Sequence, residues 1–128
     1  MLNEPKRLKC LSHWLFYYPI LWGENLFKKP VFGCHSCGQC ILSYTALTCC
    51  MNCPKQLRNG PCGGTRAGGK CEVYPERACV WNKIYKRNKR LHRLHLMKEN
   101  QPAVDWTLED TAAWVSVFQG IIKPPRLW

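Results

Sequence analysis

The clearest periodic pattern in the chain runs from Val80 to Lys98. Its apolar positions have gaps that fit one stripe of a helix, and basic residues occupy the opposite face. The stripe consists of Trp81, Ile84, Tyr85, Leu91, Leu94 and Met97. Because proline cannot continue a helix, Pro102 ends this region. The pattern therefore predicts a helical region that begins near Val80 and stops before Pro102.

A second, shorter helix is predicted over residues of about 108–119. Thr107 precedes it as a typical N-cap residue, and Asp110 supplies an acidic side chain to the first turn. Gly120 stands where a glycine commonly ends a helix. The tryptophans of this segment, Trp106 and Trp114, indicate burial in a core or an interface.

Residues 8–32 are rich in large apolar side chains. Their strongest run, Trp14 to Trp22, has nine residues and includes Pro19, whereas a helix needs about 20 residues to cross a bilayer. We therefore predict no transmembrane segment. A small domain cannot bury so many aromatic residues by itself, so we expect them to cover a bound group or to face a partner subunit. Peripheral contact with a membrane is the alternative.

The beginning of the chain has two of the three parts of a secretory signal. Lys6, Arg7 and Lys9 form a basic start, and the apolar run follows, but no small-residue cleavage site comes after it. Secretion with a disulfide framework is therefore disfavoured. We expect a cytoplasmic protein whose cysteines are not joined in disulfides.

Length and charge narrow the class further. The 128 residues fit one domain. We divide it into an aromatic, partner-facing segment over residues 1–32, a cysteine-rich cluster-binding module over residues 33–81 and a helical segment over residues 82–128.

The formal net charge is +11. We interpret the basic residues as a solvated helix face that also steers an acidic electron-transfer partner; a basic nucleic-acid-binding module of the zinc type is the alternative.

The candidate chemistry lies in one central stretch. Nine of the ten cysteines fall between positions 34 and 79, and seven of the nine glycines fall between positions 33 and 69. This composition is typical of loops that turn tightly around a ligand. The predicted fold is a small, metal-stabilised, loop-rich cysteine domain with short α-helices at the C-terminal end.

The spacing of the cysteines favours iron–sulfur clusters. Cys34, Cys37 and Cys40 form a CxxCxxC triplet, as do the first three ligands of a bacterial ferredoxin motif. Zinc ribbons use two separated CxxC pairs, and selecting two such pairs here leaves six cysteines unexplained. Zinc remains the alternative metal.

No constellation typical of an enzyme is visible. The four histidines are spread over the N-terminal segment, the cysteine stretch and the basic region: His13, His35, His92 and His95. His35 lies between two cysteines, but thiols are in surplus, so we expect it beside the metal site and not as a ligand. Nothing marks one thiol as a nucleophile. We predict no catalytic residue.

Residues 33–81 resemble a known family. The resemblance lies in GCHSCGQC from Gly33, in CPKQLRNGPCGG from Cys53, in GKCEV from Gly69 and in CVW from Cys79. These strings are similar to the C-terminal cysteine-rich domain of methylenetetrahydrofolate reductases. The same domain occurs as the separate small iron–sulfur or zinc subunit of acetogen-type enzymes.

The resemblance implies an electron-transfer subunit that is not an enzyme on its own. In this family the domain is a partner of a flavin-bearing barrel subunit, which reduces 5,10-methylenetetrahydrofolate to 5-methyltetrahydrofolate. We therefore expect two [4Fe-4S] clusters in this chain, flavin and folate on the catalytic subunit only, and an electron donor protein as a second partner. The alternative is a structural zinc module that stabilises or docks the reductase.

Eight cysteines match the family pattern, which is the number that two four-iron clusters need. They are Cys34, Cys37, Cys40, Cys49, Cys53, Cys62, Cys71 and Cys79. Cys10 and Cys50 are left over, and the choice between Cys49 and Cys50 stays open. Ferredoxin logic suggests Cys79 as the fourth ligand of the triplet, and it leaves Cys49, Cys53, Cys62 and Cys71 for the other cluster.

The string from Arg58 to Gly64 has a physical meaning of its own. Pro61 fixes the entry to Cys62, and the bare amides of Gly63 and Gly64 can approach cluster sulfides as hydrogen-bond donors. Arg58 is expected to cover the cluster or to form a salt bridge with a partner.

Overall fold

The computed structural model describes residues 11–118 and residue 120. It contains three α-helices: α1 (Leu11–Phe32), α2 (Val80–Arg90) and α3 (Ala113–Phe118). Between them the chain forms loops and short 3-10 turns at Cys50–Asn52, Ala67–Gly69, Leu94–Lys98 and Trp106–Leu108. The described residues form no strand, only isolated bridges that join Lys70 to Arg66 and to Ala78. A small, loop-rich domain with short helices near its C-terminal end is thus confirmed.

Helix α1 is continuous over 22 residues, although Pro19 and Pro30 lie inside it. The pattern of the sequence predicted an aromatic segment here without specifying a helix. Many of its large side chains are exposed: Phe16, Tyr18, Ile20, Trp22, Leu26, Phe27 and Val31. Within residues 11–118, no helix combines the length and the apolar content that crossing a membrane requires.

Helix α2 begins where the pattern predicted but ends at Arg90. His92 has a positive φ of 54°, and the backbone N–H of Arg93 donates to the carbonyl of Asn88 at 2.9 Å. The guanidinium of Arg93 donates to the carbonyl of Ser43 at 2.9 Å, which fixes the turn against a distant loop. The predicted helical region up to Pro102 is therefore confirmed only in part: α2 ends at Arg90, where long-range contacts fix the turn, and the chain is helical again only in the 3-10 turn Leu94–Lys98.

The core lies between α2 and the cysteine loops. It contains Ile41, Tyr44, Cys49, Cys50, Met51, Trp81, Ile84 and Leu96. Trp81 and Ile84 of the predicted stripe are buried as expected, whereas Tyr85 and Leu91 are exposed. The indole N–H of Trp81 donates to the carbonyl of Leu57 at 3.2 Å, so α2 is tied to the motif that carries the resemblance.

Two side-chain amides attach the segment 101–105 to the cysteine loops. Gln39 donates to the carbonyl of Asp105 at 2.8 Å and accepts from its N–H at 3.2 Å. Asn59 donates to the carbonyl of Gln101 at 2.9 Å and accepts from its N–H at 2.6 Å. Each amide therefore replaces a pair of backbone hydrogen bonds in a chain that lacks a sheet there.

The predicted C-terminal helix is shorter than expected and has a different cap. Asp105, and not Thr107, caps a 3-10 turn, because its carboxylate accepts from the N–H of Thr107 at 3.0 Å. Helix α3 begins only at Ala113, and Gly120 has the predicted positive φ, at 69°. The two tryptophans of this segment are each 49% exposed, so the expected burial in the core is wrong.

Candidate metal centre

Five of the predicted and spare cysteines line one cavity, which we call the first cysteine cavity. Its thiols are Cys34, Cys37, Cys40, Cys49 and Cys50. Helix α1 closes one side with Glu24, Asn25 and Lys28, and the C-terminal segment closes another with Thr111 and Ala113. Residues of α1, of the stretch 34–51 and of the stretch 111–113 thus line this cavity together.

The other four predicted ligands line a separate cavity, the second cysteine cavity. They are Cys53, Cys62, Cys71 and Cys79. Lys55, Thr65 and Glu72 also line it. The two cavities are neighbours along the chain, because Met51 lines the first and Asn52 lines the second.

This arrangement corrects the division suggested by ferredoxin logic. Cys49 lies with the CxxCxxC triplet, and Cys79 lies with Cys53, Cys62 and Cys71. The sequence motif fixed only the triplet, because the position of a remote cysteine depends on how α2 packs. Cys79 immediately precedes α2, and its backbone N–H donates to the carbonyl of Gly69 at 2.8 Å.

The first cysteine cavity contains the most buried thiols, those of Cys49 and Cys50, and burial raises the pKa of several of its cysteines. Desolvation raises the pKa of Cys40 and of Cys49 above the ordinary thiol value. Burial, with the nearby Cys49, raises the pKa of Cys50 to about 12. Without a bound cation these thiols are therefore held protonated, and a metal would have to displace their protons.

Two cations act on these thiols: Lys28, which is half-buried and lines the cavity, and Arg58, which is buried nearby. Burial lowers the pKa of Lys28, but the charges of Cys40 and Glu24 outweigh it and raise the pKa. Lys28 also pairs with Glu24 and lies over the ring of Trp114 at 5.9 Å. Arg58 donates to the carbonyl of Gln39 at 2.9 Å and acts on the charge of Cys50.

Arg58 has hydrogen-bond donors to spare inside the protein. It is 8% exposed, and its Nε and Nη1 atoms are buried without a hydrogen-bond partner. This burial favours the first of the two roles expected from the sequence, covering the cluster, over a salt bridge with a partner. A buried guanidinium with free donors is suited to balance an anionic group inside the first cavity.

The second cysteine cavity is nearer the surface, and Cys62 is exposed. Burial raises the pKa of Cys79, but hydrogen bonds from the Thr65 hydroxyl and from backbone amides at the start of α2 outweigh it and lower the pKa. Lys55 and Glu72 form an ion pair at 2.9 Å beside the site, and the Glu72 carboxylate lies 3.7 Å from the sulfur of Cys62.

Backbone amides donate to a cysteine sulfur in both cavities. The N–H of Ser36 donates to Cys34 at 3.4 Å, and the N–H of Gly64 donates to Cys62 at 3.4 Å. Gly63, with a φ of 80°, turns the chain so that the next amide points back to the sulfur. Such N–H···S bonds stabilise thiolates and tune the potential of a bound cluster.

Thiol ligands fit soft metals, and the arrangement of the thiols helps to distinguish a single metal ion from a cluster. In the part of the chain that the structure describes, no three His, Cys, Asp or Glu side chains are close enough to hold a single metal ion. Eight thiols in two sets suit groups whose ligands bind different metal atoms. The cavities measure about 30 and 50 Å³, room for only a few waters, so the loops would open around a cluster.

The remaining candidate residues are His35, Cys10 and several residues that the sequence did not indicate. His35 is exposed and lines neither cavity, but its Nε2 atom hydrogen-bonds Asn52, which lines the second cavity, at 3.0 Å. Cys10 lies outside the described residues. The sequence patterns did not single out Lys28, Glu24, Gln39 or Asn59. Gln39 and Asn59 stand inside the family motifs, and this position could have indicated them. No local pattern links Lys28 and Glu24 of α1 to the cysteines.

Fold and site together define a small cysteine-rich module with two thiol-lined cavities. The chain belongs to the family described as methylene-tetrahydrofolate reductase C terminal, whose model matches residues 19–107. This membership associates the chain with methylenetetrahydrofolate reductase. It is consistent with the role of an accessory subunit. Neither the curated proteins nor the solved structures contain a match to it.

Proposed function

We propose that this chain is an iron–sulfur electron-transfer subunit of a methylenetetrahydrofolate reductase. It holds two [4Fe-4S] clusters and passes single electrons from a donor protein to the flavin of the catalytic subunit, in one-carbon metabolism. Flavin and folate are bound by that partner only, and this chain contributes no catalytic residue. We place the complex in the cytoplasm, because cluster ligands must stay reduced and none of the nine described cysteines forms a disulfide.

The observation that carries the proposal is the division of the cysteines between the two cavities. Cys34, Cys37, Cys40 and Cys49 would hold one cluster, with Cys50 as a spare thiol. Cys53, Cys62, Cys71 and Cys79 would hold the other. Four thiolates per cluster is the usual ligand count, and family membership explains why the two sets occur in one small chain.

The charges around the first cavity support the same assignment. A four-iron cluster with four thiolates is an anion, so its burial requires compensating positive charge. Arg58 supplies such a charge with no carboxylate partner among the described residues, and Lys28, although it pairs with Glu24, also acts on a cavity cysteine. These cations would also raise the reduction potential of the cluster, because they favour the more negative, reduced state.

The exposed aromatics of α1 support a partner that covers this helix. Its apolar side chains point outward on several sides, and Lys28 on the same helix reaches the first cavity. A catalytic subunit seated on α1 would therefore place its flavin on the side of the first cluster. We propose α1 as the contact with the reductase; contact with a membrane surface is the competing possibility for the same residues.

Metal analysis of anaerobically purified protein tests the proposal. We expect about eight irons and about eight sulfides per chain, and electron paramagnetic resonance signals that develop on reduction with dithionite. One or two zinc ions with a silent spectrum would instead make the chain a structural zinc module that stabilises or docks the reductase. A folded preparation that supports the reductase without iron would overturn the electron-transfer role.

A further inference from the structure

A third cavity, which we call the basic groove, adjoins the second cysteine cavity. It measures about 320 Å³ and is lined by one face of α2 and by the glycine turn near residue 68. Its lining is Gly68, Gly69, Ala78, Cys79, Asn82, Lys83, Lys86, Arg87 and Arg90. The family motifs do not include its four basic residues.

The basic residues of the groove form one stripe. Lys83, Lys86, Arg87 and Arg90 follow the spacing i, i+3, i+4, i+7, which places them on one side of a helix. The opposite side of α2 carries the buried residues Trp81, Ile84 and Asn88. Folding therefore uses the apolar face of α2 and leaves the basic stripe to the solvent.

Within residues 11–118, no carboxylate neutralises the positive charge of the stripe. The sequence has no acidic residue between Arg77 and Lys98. None of the four basic side chains forms an ion pair with a carboxylate within the described residues. Arg87 donates to the Thr48 hydroxyl at 2.8 Å, which holds one guanidinium in place. A concentrated, uncompensated charge of this kind attracts an anionic surface.

The groove lies next to the second cysteine cavity, and this position indicates the function of a partner that binds there. Cys79 lines both the groove and the second cysteine cavity, and Cys62 of that cavity is exposed. In the first cavity, by contrast, Cys49 and Cys50 are buried. A macromolecule docked on the stripe would thus come next to the more accessible set of thiols.

We propose that the basic groove is the docking surface for an acidic one-electron carrier protein that reduces the cluster of the second cysteine cavity. The inference rests on the proposed function and adds the site of electron entry. The carrier loses one electron and one cluster gains it, with no bond formed or broken. The positive charge would also attract a nucleic acid, but nucleic-acid binding would not explain why the groove adjoins the second cysteine cavity.

The test compares charge reversal inside the groove with the same change outside it. The groove variant is Lys83→Glu with Lys86→Glu, and the control is Lys89→Glu with Lys98→Glu, two exposed basic residues that do not line the groove. Iron-loaded chains are mixed with a reduced, acidic flavodoxin in a stopped-flow instrument at low ionic strength, and cluster bleaching is followed. Iron content and circular dichroism verify that both variants are folded.

We expect the bimolecular rate of the groove variant to fall about tenfold or more, while the control stays near wild type. Added salt should slow the wild type and shrink the difference, because exposed charges are screened. Equal rates for all three proteins, or equal slowing of both variants, would overturn the docking surface.

Two further arms separate this inference from the function on which it rests. Reduced methyl viologen, a small cation that needs no acidic docking partner, should reduce the clusters of all three chains. If it reduces none of them, the electron-transfer role itself fails. If a short DNA duplex binds the wild type and not the groove variant, while flavodoxin reduces both equally, the groove is a nucleic-acid site and our inference is wrong.

Discussion

Gly38, between two cavity cysteines, occupies a position that only glycine tolerates. Its φ is 68°, and a Cβ there would collide with the carbonyl oxygen of Leu108 and with Oγ1 of Thr111. The first obstacle is backbone, which cannot swing away. The absence of a side chain thus lets the loop between Cys37 and Cys40 pack directly against the C-terminal segment.

Gly38→Ala should therefore destabilise the protein by roughly 2–4 kcal/mol, from strain at positive φ together with overpacking. Gly68→Ala is the matched control, since Gly68 has a φ of 74° and open space around it, and it should cost about 1 kcal/mol. Denaturant unfolding of the anaerobic protein measures both. Equal losses would contradict the close contact.

Cys49 and Cys50 are adjacent, yet we expect different consequences when each is replaced. Cys49→Ala should lose about four irons per chain, because it removes a ligand of the first cluster. Cys50→Ala should keep both clusters, since this thiol is 3% exposed within the core and alanine leaves only a small cavity. Iron analysis of the two variants decides, and the reverse result would make Cys50 the ligand.

At the scale of elements, the fold depends on polar links where regular structure is missing. Asn59→Ala should destabilise the protein by roughly 1–3 kcal/mol, because the N–H and carbonyl of Gln101 lose their partner. Asn100→Ala is a suitable control, as Asn100 is an exposed neighbour on the same segment. Thermal unfolding should show a clear shift for the first variant only. Equal melting temperatures would show that the Asn59 amide does not stabilise the fold.

The sequence predicted those elements whose determinants are local. The start of α2, the burial of Trp81 and Ile84 and the turn at Gly120 follow from periodicity and glycine chemistry. The end of α2 could not be predicted, because Arg93 and Asn88 bind carbonyls of residues 43 and 44, far away in sequence.

The candidate site shows the same limit. Eight cysteines were identified from spacing and resemblance, and all eight line one of two cavities. Their division was wrong for Cys49 and Cys79, since it depends on packing between α2 and the loops. The part that Lys28 plays was likewise invisible, because α1 approaches the triplet only in the folded chain.

At the scale of the whole molecule, the exposed side of α1 should be an interface. Trp22 is 69% exposed, and a buried tryptophan anchor commonly contributes 2 kcal/mol or more to binding. Trp22→Ala should thus weaken binding to the flavin-bearing reductase subunit by roughly 30-fold. Trp106→Ala, which removes a half-exposed tryptophan elsewhere, serves as the control in a calorimetric titration. Unchanged affinity for Trp22→Ala would place the interface on another surface.

The central claim is that electrons pass through this chain to the flavin of a reductase. The most direct measurement mixes the iron-loaded chain, reduced beforehand and freed of reductant, with the oxidised flavin subunit under anaerobic conditions. The account predicts that cluster absorbance returns as flavin absorbance bleaches, with about two electrons delivered per chain from its two clusters. A flavin that stays oxidised beside reduced clusters would contradict it.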